Sequence, residues 1–67
     1  MAKITFQAAR VNAGLTQEAL AKEMGVSRST VNDWETGKRE IKTAYLYLFC
    51  RITGFTESDI LLPERST

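Results

Sequence analysis

Histidine is absent from this 67-residue chain, and cysteine and proline each occur only once. The lone Cys50 cannot close an intrachain disulfide, and without histidine neither a histidine-containing zinc site nor an imidazole base is available. No phosphate-cradling glycine loop, paired-cysteine metal site or nucleophile beside a base occurs either, so no enzyme is expected and no cofactor, metal or small-molecule ligand is implied. The longest apolar run, Ala44–Cys50, falls far short of the about 20 residues that span a bilayer. The opening MAKITFQAAR lacks the apolar core and cleavage site of a signal peptide, which makes a cytoplasmic protein the expectation and leaves no role for a membrane.

What is present suits one small folded domain spanning 1–67, with 43% hydrophobic and 25% charged residues. A chain this short builds a modest core, which favours economical helix packing, with a partner as an additional source of stability. The net charge is only +1, but it is unevenly spread. Lys38, Arg39 and Lys42 cluster, whereas Glu57, Asp59 and Glu64 face Arg65 alone near the end. A locally basic patch on a nearly neutral protein still attracts phosphate, although these residues by themselves also suit a solvated loop.

Capping signals divide the chain into five helices, and no strand pattern or internal repeat is evident. Thr5 caps a first helix through Asn12 or Ala13, with Phe6, Ala9, Arg10 and Ala13 on one stripe and Gly14 behind. Thr16 caps a second helix that ends at Met24–Gly25, and Glu18 sits in its first turn where the helix dipole favours an anion. Val26 and Ser27 leave a very short connection before a third helix, which Ser27 caps and Gly37 ends, so the two helices must cross steeply. A polar loop over 38–42 precedes a fourth helix at about Thr43–Thr53, with Tyr45, Leu48, Phe49 and Ile52 assigned to the core. Leu46 and Tyr47 lie off that stripe. Thr56-Glu57-Ser58-Asp59 has capping-box spacing and predicts a last short helix over Ile60 and Leu61, followed by a polar tail over 63–67.

The third helix is the unusual one. At about 100° of turn per residue, Arg28, Ser29, Asn32, Asp33 and Thr36 form one contiguous polar stripe, while Val31 and Trp34 fall on the opposite side. Trp34 is therefore a packing residue rather than a stacking platform, and Cys50 reads as a small buried hydrophobe. Arg10 lies on an otherwise apolar stripe, where burial without a partner is costly, and Glu35 borders the apolar face of the third helix. These positions predict an Arg10–Glu35 ion pair.

Gln17, Ala21, Gly25, Val31, Trp34 and Gly37 have the spacing of a helix-turn-helix over about 16–37. Each has a steric reason: Ala21 is small at the crossing, Gly25 takes the turn conformation, and Val31 and Trp34 fill the wedge. The segment LTQEALAKEMGVSRSTVNDWETGK strongly resembles the DNA-binding domain of the phage-repressor and Cro-type helix-turn-helix family, also called the Xre or lambda-repressor-like family. The resemblance covers roughly residues 4–62. It implies an all-α, compact five-helix fold and a transcriptional regulator whose third helix enters the DNA major groove. It makes Ser27, Arg28, Ser29 and Asn32 base-reading candidates, with Asp33 at their margin. Arg28 then suits guanine O6 and N7, and Asn32 suits adenine N6 and N7.

The resemblance further implies that Gln17, Lys38, Arg39, Lys42 and the backbone at Thr43 contact phosphate. It carries the same Arg10–Glu35 ion pair, and it assigns Leu61, Leu62 and Pro63 to twofold dimer contacts. A Cro-like or repressor-type phage protein on a palindromic operator is the leading expectation. An antitoxin, a restriction-modification controller, or an interaction module that does not read DNA remain alternatives on the same scaffold.

Overall fold

The computed structural model describes residues 3–63. Strand β1 (Ile4–Thr5) leads into helix α1 (Phe6–Asn12), followed by α2 (Gln17–Met24), α3 (Arg28–Thr36) and α4 (Thr43–Thr53). A single 3₁₀ turn, Glu57–Asp59, then delivers the chain to β2 (Ile60–Leu61).

The expected caps set the helix starts. Thr5, Thr16 and Ser27 each accept a hydrogen bond from the backbone N–H three residues on, in Ala8, Ala19 and Thr30 respectively. These bonds satisfy donors that a helix end would otherwise leave open. At the far end of α2, Gly25 adopts φ 71°, a left-handed conformation that a side chain would strain. The Val26 N–H then donates to the Ala21 carbonyl at 3.0 Å, which closes the turn and aims α3 across α2.

One apolar cluster lies between the helices. Phe6 and Phe49 stack with ring centroids 3.9 Å apart, and Trp34 meets Phe6 edge-on at 6.2 Å. Leu20, Ala21, Met24 and Val31 complete the buried junction of α2 and α3, with Ile41 and Ile60 closing the sides. Cys50 is buried as expected.

Two expectations need correction. The predicted fifth helix is one 3₁₀ turn, and Ile60–Leu61 is extended, pairing in parallel with β1 in the register Ile4↔Ile60 and Thr5↔Leu61. The capping box itself forms, with the Thr56 N–H donating to Asp59 Oδ2. Helix nucleation is costly and Pro63 disfavours helical backbone at Leu62 just before it, whereas extended backbone lets Ile60 bury its side chain beside β1. Tyr45, assigned to the core, is 37% exposed. Its ring leans on Trp34 with centroids 5.4 Å apart, which covers only part of the side chain. Of the polar tail expected over 63–67, only Pro63 falls within the described residues.

Candidate nucleic-acid interface

Helix α3 is anchored from behind. Val31 and Trp34 are 0% and 4% exposed, so the helix cannot roll without opening the core. Its outward stripe consists of Arg28, Ser29 and Asn32, all exposed, with Asp33 half-buried at the edge. Ser27 is exposed but occupied. Its Oγ accepts from the Thr30 N–H at 3.1 Å and shares hydrogen bonds with the hydroxyls of Ser29 and Thr30. Arg28 has no hydrogen-bonding partner among the described residues, which leaves its planar fork of donors facing solvent.

Beneath this stripe runs a connected set of polar side chains. Arg10 Nε donates to Glu35 Oε2 at 2.5 Å, and Arg10 Nη1 donates to the Leu15 carbonyl at 2.7 Å. Only 9% of the Arg10 side chain and 4% of the Glu35 side chain reach solvent, so the expected ion pair is present and buried. Gln17 joins it from the start of α2. Its amide nitrogen donates to Glu35 Oε1 at 2.9 Å and to Asn32 Oδ1 at 3.2 Å.

The basic flank sits at the C-terminal end of α3. Lys38, Arg39, Lys42 and Thr43 are all exposed. Arg39 lies 3.9 Å from the Asp33 carboxylate, and its backbone N–H donates to the Asp33 carbonyl at 3.1 Å. Asp33 thereby offsets the positive charge beside it and ties the loop to the helix. Arg39, Glu40 and Lys42 line a cleft of about 350 Å³ together with Trp34, Tyr45 and, from the start of α3, Ser27 and Thr30.

A family model described as "Helix-turn-helix" matches residues 6–60. The chain belongs to the helix-turn-helix family of Xre and lambda-repressor type. That membership makes it a DNA-binding regulator in general terms. No curated protein matches the sequence. No helix among the described residues is long and apolar enough to cross a membrane.

Away from the helix-turn-helix motif, Leu61 and Leu62 are 47% and 40% exposed. With Pro63 they border a depression of about 200 Å³ also lined by Thr5, Phe6, Gln7 and Glu35. Sequence reasoning missed two links of the motif, Gln17 to Asn32 and Asp33 to Arg39. The first pair falls on facing helices at the crossing, and the second spans Gly37, where the chain reverses. Neither pair follows a fixed spacing along one helix, so periodicity alone carries no signal for them.

Proposed function

We propose that this helix-turn-helix protein is a sequence-specific transcriptional regulator of Cro-like or repressor type that occupies double-stranded DNA as a homodimer. The observation that carries the reading is the outward stripe of α3: polar, exposed, and mounted on a helix whose opposite face is locked into the core by Val31 and Trp34. A rigid two-faced helix of this kind fits a major groove, whose base edges present distinct donor and acceptor patterns.

In this reading Ser27, Arg28, Ser29 and Asn32 face base edges, with Asp33 at the margin. Gln17, Lys38, Arg39, Lys42 and Thr43 hold phosphates and fix the register. The exposed Leu61 and Leu62 and the half-buried Pro63 meet their counterparts in a second copy about a twofold axis. That symmetry places two α3 helices about one DNA turn apart, ~34 Å, and calls for a roughly palindromic operator. Control is by occupancy of the operator.

Selection from a random-sequence duplex pool tests the reading. Enrichment of a palindrome, with affinity falling steeply as salt rises, is the expected outcome. Absence of salt-dependent binding even at low ionic strength refutes it.

A further inference from the structure

The polar relay behind α3 has a direction. Arginine carries only donors, so the Glu35 oxygens facing Arg10 accept. The group that Gln17 places 2.9 Å from Glu35 Oε1 must therefore be its amide nitrogen, because two acceptors would not approach so closely. That same nitrogen lies 3.2 Å from the Asn32 amide, so the Asn32 atom facing it must be the oxygen. The chain of donors and acceptors is thus fixed from the buried end outward. Asn32 Nδ2, on the other arm of the same carbon, is left pointing away from the relay, with no partner among the described residues.

We propose that Asn32 reads DNA as a hydrogen-bond donor and selects guanine, and that Gln17 is the positioning residue that enforces this polarity. The inference rests on the DNA-reading function proposed above. Guanine presents two adjacent major-groove acceptors, N7 and O6, and no donor beside them, so an outward amide nitrogen finds an acceptor at either atom. Adenine presents N7 beside the N6 amino donor, and its two-point pairing with asparagine needs the amide oxygen turned toward the base. Here Gln17 holds that oxygen inward. The adenine preference expected from the residue type alone is therefore replaced by a guanine preference, set by a residue on the neighbouring helix.

Gln17 has a second consequence for the interface. Both of its amide hydrogens are committed inward, to Glu35 and Asn32. Its contribution to phosphate binding is therefore its backbone N–H, one of the first-turn donors that a helix leaves without an internal partner.

The test is a parallel duplex selection with the whole chain as wild type, Asn32→Ala and Gln17→Met, together with thermal unfolding of each. The wild type should favour guanine over adenine by about tenfold or more at one position per half-site, and Asn32→Ala should erase that preference alone. Gln17→Met removes the clamp while keeping a side chain of similar length. It should admit adenine at that same position and leave preferences elsewhere unchanged, while unfolding at a lower temperature than wild type because Glu35 Oε1 loses a donor. A purely structural role for Gln17 would move the unfolding temperature without moving the base preference, and that result overturns the proposal. So does enrichment of adenine at the position that Asn32→Ala erases, or an Asn32→Ala motif identical to wild type; each leaves the DNA-reading function standing. If the wild type enriches no sequence, that function fails and the inference fails with it.

Discussion

Arg10 on α1 and Glu35 on α3, twenty-five positions apart, meet through two contacts, Nε to Oε2 at 2.5 Å and Nη2 to Oε1 at 3.4 Å. Both side chains are nearly sealed from solvent. The pair ties α1 to α3.

Burial makes this pair asymmetric to mutation. Arg10→Met leaves a carboxylate stranded in the interior and should cost about 3–5 kcal/mol, and Glu35→Leu should do comparable damage by stranding the guanidinium. The double variant Arg10→Met/Glu35→Leu should lose far less than the sum, because no unpaired charge remains. A double-mutant cycle by chemical denaturation checks this, and additive losses would show that the two residues act independently.

The aromatic stack between α1 and α4 is the mechanical centre of the fold. Phe49→Ala removes a fully buried ring that lies against Phe6 and should cost about 3–5 kcal/mol. Stability of that size is a large share of what a small domain possesses. Circular dichroism should find the variant substantially unfolded at 37 °C.

Most of this architecture was legible because its signals are local. Thr5, Thr16 and Ser27 cap helices through bonds to residues three positions away, and Gly25 and Gly37 end helices through their own conformations, so one stretch of sequence contains cause and effect. Arg10 and Glu35 were legible for a different reason: a charge on an apolar stripe requires a partner, and few positions offer one. The Ile4–Ile60 pairing was hidden because two-residue strands have no periodicity to detect, and because the capping box at Thr56 points toward a helix. The Gln17–Asn32 bond depends on how two helices cross, which residue spacing along either helix does not encode.

Acid should weaken the closing turn. Hydrogen bonds from the hydroxyl and the backbone N–H of Thr56 hold the Asp59 carboxyl below the usual carboxylate range. A depressed native value means that this contribution is complete above the ordinary aspartate pKa of about 3.9 and disappears as pH falls from there through the lower native value. Thermal unfolding measured against pH should show Asp59→Asn less stable than wild type at neutral pH. The two curves should converge at the acid end.

Cys50 should behave as an inert thiol. Burial is the main cause that pushes its pKa up, with Glu57 and Asp59 adding to the shift. Alkylation by iodoacetamide at pH 8 should be markedly slower than for an unstructured cysteine peptide, and should reach the peptide's rate in denaturant.

The apolar patch at Leu61 and Leu62 should matter for the second half-site and not for the first. Leu61→Glu changes a side chain that is already half-exposed, so folding should survive. Gel-shift titrations should show unchanged binding to a single half-site and loss of the cooperative gain on a full palindrome.

The central claim is that the outward stripe of α3 reads bases while the basic flank holds the backbone. Parallel selection and salt titration with Arg28→Ala and Lys38→Ala test it most directly. Arg28→Ala should relax base preference at one position per half-site, whereas Lys38→Ala should keep the wild-type motif and lower the slope of log affinity against log salt by about 1. An Arg28→Ala protein that selects the unchanged wild-type motif would contradict the account.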